Sequence, residues 1–452
     1  MHIIIVGCGK VGQTLVEQLS GENHNIVVID EREEKVRQLT DELDAKGIVG
    51  NGVSNLILQE ADIAHADLLI AVTGSDEQNL LSCVIAKKAG HCKTIARVRN
   101  PIYFNEIPFL RKELGLSMII NPELTSANEI ARIFQFPSAV KIDTFSKGRI
   151  ELLHFIVTPD CLLNNYQLLH IRSTLKCDVL VCMVTRGDEL VIPRGNFVFQ
   201  EGDVVAIVST PAIAQQFFKK IGINTHPINN AMLIGGDTIT YYLAKRLLAA
   251  GISTKIIEPN LARCEELSEL LPTATIICGD ATDQKLLLQE GISSVDGFAA
   301  LTGLDEENIM LSLYAQTISK AKCVTKIDKT NFSSVLNHLR LDTITYPHLL
   351  TADTITKFVR SMEASLNSNV ENLYRLEEGR AEVLEFYIKE SSDVTDIPLE
   401  KLRIKKNILI CCITRGTQFI IPGGQDEMKI GDLVVVVTTN FRLNDINDIL
   451  EK

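Results

Sequence analysis

The chain has 452 residues, of which 46% are apolar and 23% charged, and its formal net charge is −12. Such a length exceeds what one hydrophobic core serves and points to several domains. The acidic balance argues against a broad nucleic-acid surface, and no run approaches the ~18 uninterrupted apolar residues of a membrane span.

Met1 leads straight into His2-Ile3-Ile4-Ile5-Val6 and a glycine loop, with neither a basic leader nor a small-residue cleavage site, so a soluble, cytoplasmic protein is expected. Strands are predicted near 2–6, 25–30, 47–49, 67–72, 93–98 and 118–120. Helices fall between them near 10–20, 33–43, 53–60, 76–90 and 102–114. Strand and helix in alternation make a doubly wound parallel sheet. A helix over about 122–135 leads out and is expected to stop at Pro137. From Lys141 to about Ile221 the texture is that of a small α+β unit. A linker at Asn224–Asn230 then restarts the cycle.

The restart is a repeat. Val179-Leu-Val-Cys-Met-Val-Thr-Arg186-Gly returns as Ile408-Leu-Ile-Cys-Cys-Ile-Thr-Arg415-Gly, and Gly202-Asp203 returns as Gly431-Asp432. Ala71-Val-Thr73-Gly74-Ser75-Asp76-Glu77 with Asn79 likewise matches Ala300-Leu-Thr302-Gly303-Leu304-Asp305-Glu306 with Asn308. The expected fold is therefore α/β, two tandem Rossmann-like doubly wound parallel sheets, each followed by a small α+β domain. Its domains are 1–136, 137–222, 229–360 and 361–452. The 11 cysteines include Cys182, Cys278, Cys411 and Cys412 inside apolar runs, which suits reduced core thiols better than disulfides, and no Cys-x-x-Cys zinc pair occurs.

Gly7-Cys8-Gly9-Lys10-Val11-Gly12 follows the first strand directly and opens a helix, the context in which a G-x-G-x-x-G loop binds a dinucleotide. Gly7 permits the turn, Gly9 lets the backbone approach a pyrophosphate, and Gly12 lets helix and sheet pack closely. Free amides of the helix N-terminus then face the phosphates. Asp30 ends the second strand, where a carboxylate hydrogen-bonds ribose hydroxyls and disfavours a 2′-phosphate, so NAD or NADH is preferred over NADP. Thr73-Gly74-Ser75-Asp76 follows the fourth strand and forms the opposite wall. Its residues either line the cofactor or, for Ser75 and Asp76, cap the next helix. Arg97 ends the fifth strand, placed either to neutralise a phosphate or to make a structural salt bridge.

In the second half the loop reads Gly235-Gly236-Asp237-Thr238-Ile239-Thr240, with Asp237 and Thr240 at glycine positions. Asp237 adds repulsion where a pyrophosphate would sit, and Thr240 adds bulk. Glu258 still ends the second strand, and Gly279-Asp280-Ala281-Thr282 follows the third. A weakened or altered site and a decayed scaffold both fit. No histidine pairs with an acid at suggestive spacing, no catalytic motif is present, and the small domains lack room to enclose a substrate, so no catalytic residue and no metal ligand is assigned. The rival reading is an NAD-dependent oxidoreductase, on the glycine loop alone.

In this order and twice over, these motifs resemble the Trk-type potassium uptake family built from RCK modules, with alternating TrkA-N and TrkA-C domains. Further matching segments are Ile95-Ala-Arg97-Val98 and Asn121-Pro-Glu123, and the resemblance covers essentially the whole chain. It implies a non-enzymatic regulatory subunit, peripheral on the inner face of the cell membrane, that binds NAD(H), with ATP or ADP as further ligands. It also implies gating of a Trk-type membrane potassium transporter and self-assembly into a ring, a homotetramer of double-module chains, with no nucleic-acid partner. Carried over, the first nucleotide site uses Gly7, Cys8, Gly9, Lys10, Val11, Asp30, Thr73, Gly74 and Arg97. The second uses Gly235, Gly236, Asp237, Thr238, Ile239 and Glu258.

Overall fold

The computed structural model describes the chain apart from residues 23, 101–102, 104–105, 136–140, 146–149, 188, 210, 224–227, 330–335, 337–338, 340, 368–369, 377–379, 417, 441–442 and 452. The helix stop at Pro137, most of the linker before Asn230 and the start of the helix expected from 102 lie outside the described residues.

The first module runs β1 (His2–Val6), α1 (Lys10–Ser20), β2 (Asn25–Asp30), α2 (Glu33–Glu42), β3 (Lys46–Val49), α3 (Asn55–Glu60), β4 (Leu68–Ala71), α4 (Asp76–Gly90), β5 (Lys93–Arg97), α5 (Ile107–Glu113), β6 (Met118–Ile120) and α6 (Pro122–Gln135). The strands lie in the order β3-β2-β1-β4-β5-β6, all parallel. Ile3, Ile4, Ile5 and Val6 are buried, because helices cover both faces of such a sheet and the strand reads as one apolar run. On α1, Val11, Leu15, Val16 and Leu19 turn inward at helical spacing.

The first small module holds β7 (Lys141–Phe145), β8 (Ile150–Ile156), α7 (Ile171–Leu175), β9 (Leu180–Arg186), β10 (Glu189–Val191), β11 (Val204–Ser209) and α8 (Pro211–Lys220). Its sheet is antiparallel, ordered β10-β9-β11-β8-β7. The cycle repeats with β12 (Asn230–Ile234), α9 (Thr238–Ala249), β13 (Ser253–Glu258), α10 (Leu261–Leu270), β14 (Thr275–Cys278), α11 (Gln284–Gln289), β15 (Gly297–Ala300), α12 (Asp305–Ile318), β16 (Lys322–Lys326), β17 (Thr343–Thr345) and α13 (Pro347–Asn367). That sheet has the order β14-β13-β12-β15-β16-β17, the same as the first. Finally β18 (Val370–Leu376), β19 (Ala381–Tyr387), β20 (Ile408–Arg415), β21 (Gln418–Ile420) and β22 (Leu433–Thr438) form the second antiparallel sheet.

Packing groups like with like. Met1–Phe134 and Ile228–Thr356 form one compact unit, and Gln135–Pro227 and Lys357–Lys452 another. Within the first unit the modules exchange helices. Ala127, Ile130, Ala131 and Phe134 of α6 sit in a core with Leu233, Leu243 and Leu247 of the second module. In return, α13 meets α1, with Gln18 donating to Asp353 and accepting from Thr356, each at 2.7 Å. Asn121, just before α6, donates to the Tyr242 hydroxyl at 3.3 Å.

Within the second unit the small sheets share a core containing Leu152, Met183, Val383 and Val435, where the Cys182 and Cys411 sulfurs lie 3.4 Å apart. Each small sheet carries the same ion pair. Arg186 grips Asp203 through two bonds of 2.7 Å, and Arg415 grips Asp432 at 2.9 and 2.8 Å. Cys182, Cys411 and Cys412 are free and buried as expected, but Cys278 is exposed. It ends an edge strand, so its apolar neighbours in sequence do not enclose it. No helix among the described residues is long and apolar enough to cross a membrane.

Candidate nucleotide site

At the carboxyl ends of β1 and β4 the winding of the first sheet reverses, and a crevice opens there. Its volume is about 380 Å³, within the range of small-ligand pockets. Gly7, Gly9, Asp30, Thr73, Gly74 and Arg97 all line it. Cys8, Lys10 and Val11 do not. Cys8 and Val11 are buried, and Lys10 is exposed.

Each glycine has a separate local reason. Gly7 has φ +108°, a conformation that side-chain-bearing residues avoid, and a Cβ there would press on the Thr73 backbone at 3.0 Å. A Cβ on Gly12 would stand 1.9 Å from the Gly7 carbonyl oxygen, so helix and loop close only over a hydrogen. Gly9 meets nothing within 4 Å, leaving open space above the first turn of α1, whose amides lack partners inside the helix.

Asp30 anchors the loop. Its carboxylate accepts from the Cys8 amide at 2.9 Å and the Arg32 amide at 3.0 Å, and the Arg32 guanidinium lies 3.4 Å away. Burial pushes the Asp30 pKa up, but the bonds from the Arg32 and Cys8 amides and the Arg32 charge outweigh it, and the value lies below the ordinary 3.8. Burial, reinforced by Asp30, pushes the Cys8 thiol up to about 12, so it is protonated at neutral pH and behaves as a small apolar group.

On the opposite wall, Asn79 is fully buried and acts as a strap. It accepts from the Thr73 amide and hydroxyl, both at 2.8 Å, and donates to the Arg97 carbonyl at 2.9 Å. Ser75 caps α4 by accepting from Gln78, and Asp76 accepts from the Arg99 and Asn100 amides at 2.9 and 2.7 Å. Arg97 makes no salt bridge to a carboxylate among the described residues, and its Nε is buried without a hydrogen-bond partner. Burial, then the nearby Arg99 charge, lowers its pKa. Arg97 is half-buried and feels the Glu123 and Asp76 charges, yet its Nε–H remains available to an anion placed on this crevice wall.

Sequence reasoning missed the floor of the crevice: Gly50, Asn51, Gly52 and Val53 after β3, and Ser82 on α4, whose buried Oγ has no partner. The signal was present, since Gly50-Asn51-Gly52 is the repeat partner of Gly279-Asp280-Ala281.

The second crevice has the same skeleton and different chemistry. Gly235 has φ +95°, and the Gly236 amide donates to Glu258 at 2.6 Å, as Cys8 does to Asp30. Thr302, Asn308 and the Lys326 carbonyl repeat the strap. The volume is only about 230 Å³, Asp237, Glu258, Asp280 and Glu307 line it, and no Lys or Arg is among the described residues that do. Burial, then Asp280, raises the Glu307 pKa. Lys326, at the end of β16 as Arg97 is at the end of β5, turns to the Thr302 carbonyl and Asp328. Arg263 donates to the Gly236 carbonyl at 2.6 Å. Thr240 is fully buried, its hydroxyl without a partner, and Thr238 and Ile239 do not line the crevice.

A duplicated Rossmann-type module with a dinucleotide loop, paired with a duplicated small antiparallel module, defines a tandem nucleotide-binding architecture. The TrkA-N domain matches residues 3–122 and again 231–347, and the TrkA-C domain matches 152–222. The chain is 32% identical to the Trk system potassium uptake protein TrkA homolog 1 of Methanosarcina mazei, covering 96% of this chain and 97% of that protein. It is 29% identical to the Trk system potassium uptake protein TrkA of Haemophilus influenzae, covering 96% and 95%. The chain belongs to the TrkA family of Trk-system potassium uptake proteins. Among solved structures, the GsuK channel bound to NAD superposes with a TM-score of 0.64 at 18% identity, covering 97% of this chain and 77% of that one. The GsuK RCK domain gives 0.62, covering 97% and 92%.

Proposed function

We propose that this chain is a regulatory subunit of Trk-type potassium uptake that senses NAD(H) in its first crevice and passes occupancy to a membrane transporter. Residues 1–136 and 229–360 serve as the nucleotide-type modules, and 137–222 and 361–452 as their small partners. The carrying observation is one crevice lined at once by Gly7 and Gly9 of the loop, the Asp30 carboxylate and the Arg97 guanidinium, whose Nε has no hydrogen-bond partner.

The loop amides and Arg97 would take the pyrophosphate, and Asp30 the adenosine ribose. The amides of Cys8 and Arg32 leave the Asp30 oxygens with lone pairs to accept hydroxyls. ATP or ADP would use the same loop and lose the contacts of the second nucleotide. The second crevice, acidic and smaller, disfavours a pyrophosphate and acts mainly as scaffold.

Hydride transfer needs a proton donor beside the nicotinamide, and no His, Lys or Tyr is among the described residues lining the crevice, which supports a binding role over catalysis. Assembly into a ring, a homotetramer on the inner face of the membrane, accompanies this reading. Gating then requires that NADH and NAD+ bind two ring shapes unequally, since equal affinity shifts nothing. The test is potassium flux through the reconstituted transporter with the chain present. Flux that changes between NADH and NAD+, and loses that difference in Asp30→Ala, supports the reading. Flux indifferent to both nucleotides overturns it.

A further inference from the structure

The second nucleotide-type module carries two thiols where the first has valines. Val36 on α2 and Val49 at the end of β3 correspond to Cys264 on α10 and Cys278 at the end of β14. The two sulfurs converge on one turn. Cys264 Sγ donates to the Glu258 carbonyl at 3.2 Å, and Cys278 Sγ to the next carbonyl, of Pro259, at 3.9 Å. Cys278 is also the register partner of Glu258 across the parallel strands. Of the 11 cysteines Cys278 alone is exposed, whereas Cys264 is only 5% exposed beneath it.

We propose that Cys264 and Cys278 form an oxidative modification site, which closes as an intrachain disulfide when the chain meets a hydroperoxide. This inference is independent of nucleotide binding. The Cys278 thiolate attacks one peroxide oxygen, the O–O bond breaks, and the departing oxygen takes up the thiol proton as water or an alcohol. The resulting Cys278 sulfenic acid is then attacked by the Cys264 sulfur. The S–O bond breaks, and hydroxide leaves with the Cys264 proton as water. Two thiols and one peroxide thus give one disulfide, one water, and a second water or an alcohol.

The division of labour follows from accessibility. Cys278 meets the oxidant, and Cys264, its thiol raised to about 11 by burial and then by contact with Cys278, resolves the sulfenic acid from below. Cys182 and Cys411, also close, are sealed from any oxidant, and burial holds the Cys411 thiol far above its ordinary range. The bond would tie α10 to β14 around the turn carrying Glu258, whose carboxylate holds the Gly236 amide.

The test exposes the full chain to hydrogen peroxide, removes the peroxide, unfolds the chain in denaturant, alkylates the remaining thiols and digests with trypsin, which leaves both cysteines in one peptide from Cys264 to Lys285. The expected result is a peptide that has lost both thiol hydrogens, resists alkylation and recovers both thiols on reduction. The variants Cys264→Val and Cys278→Val install the residues of the first module and so retain the fold. In Cys264→Val, Cys278 stops at a sulfenic acid that dimedone traps, and in Cys278→Val, Cys264 stays alkylatable. Three results overturn the proposal: Cys278 passing to a sulfinic acid while Cys264 stays free, Cys278 linking two chains, or both thiols surviving peroxide that oxidises glutathione.

Discussion

The Cys8 amide donates to the Asp30 carboxylate at 2.9 Å, tying the glycine loop to the end of β2 before any ligand arrives. The Gly236 amide and Glu258 repeat the link at 2.6 Å, so the scaffold outlasted the divergence of the two crevices. Asp30 therefore has a structural task and a recognition task, and its replacement affects both. Asp30→Ala should lower NADH affinity about tenfold or more and reduce stability by about 1–3 kcal/mol, the cost of leaving the two amides without their acceptor. Calorimetric titration and thermal unfolding measure the two losses separately.

The glycines of the loop separate packing from binding. Gly12→Ala forces a Cβ against the Gly7 carbonyl and should destabilise the chain by about 1–3 kcal/mol, seen as a lower Tm. Gly9→Ala enters open space, so Tm should barely change while affinity for a pyrophosphate ligand falls. Equal effects of both variants on Tm would refute this division.

Arg97→Gln removes the half-buried cation that lines the crevice. Affinity for NADH and ADP should fall about tenfold, the scale of one hydrogen bond to a charged group, whereas adenosine should bind as before. Competition binding with the three ligands tells a phosphate contact from a general loss of the crevice, which would weaken all three alike.

The Asp30 pKa lies below its ordinary 3.8, so the proton binds more weakly in the folded state than in the unfolded chain. The stability this group supplies is in place above about pH 4 and is lost as the pH falls through the folded value. Unfolding followed between pH 6 and 3 at constant ionic strength should show a smaller loss in Asp30→Ala than in the parent chain. Cys8 behaves oppositely. A thiol raised to about 12 leaves roughly one in ten thousand ionised at pH 8, so Cys8 should resist iodoacetamide until the chain unfolds.

In the small modules, Asp203 is fully buried beneath Arg186, while the arginine remains more than a third exposed. Arg186→Ala leaves that carboxylate without its two charge-assisted bonds and should cost about 1–3 kcal/mol. A Tm unchanged in Arg186→Ala but lowered in Asp203→Ala would assign the effect to the backbone amide that Asp203 also accepts, from Gln200 at 2.9 Å.

The parallel sheets were legible because Ile3–Val6 and its counterparts are unbroken apolar runs set between helices of period 3.6. The glycine loop and Asp30 were legible because a turn, a close approach and a helix start leave a fixed spacing in sequence. The Arg186–Asp203 pair was visible only as two repeated landmarks 17 residues apart, since no local pattern says that a strand end and a turn meet. The exchange of α6 and α13 was not legible at all. Ala127, Ile130, Ala131 and Phe134 announce an apolar face, but periodicity does not name the core that receives it. The solvation of Cys278 was misread for a related reason, because an apolar run looks alike on a central strand and on an edge.

The most direct test of the central claim is calorimetric titration of the full chain with NADH, in parallel with Asp30→Ala and Glu258→Ala. The account expects tight binding in the parent chain, a weakening of about tenfold or more in Asp30→Ala, and unchanged affinity in Glu258→Ala. Binding that persists in Asp30→Ala and disappears in Glu258→Ala, or no binding to the parent chain, would contradict it.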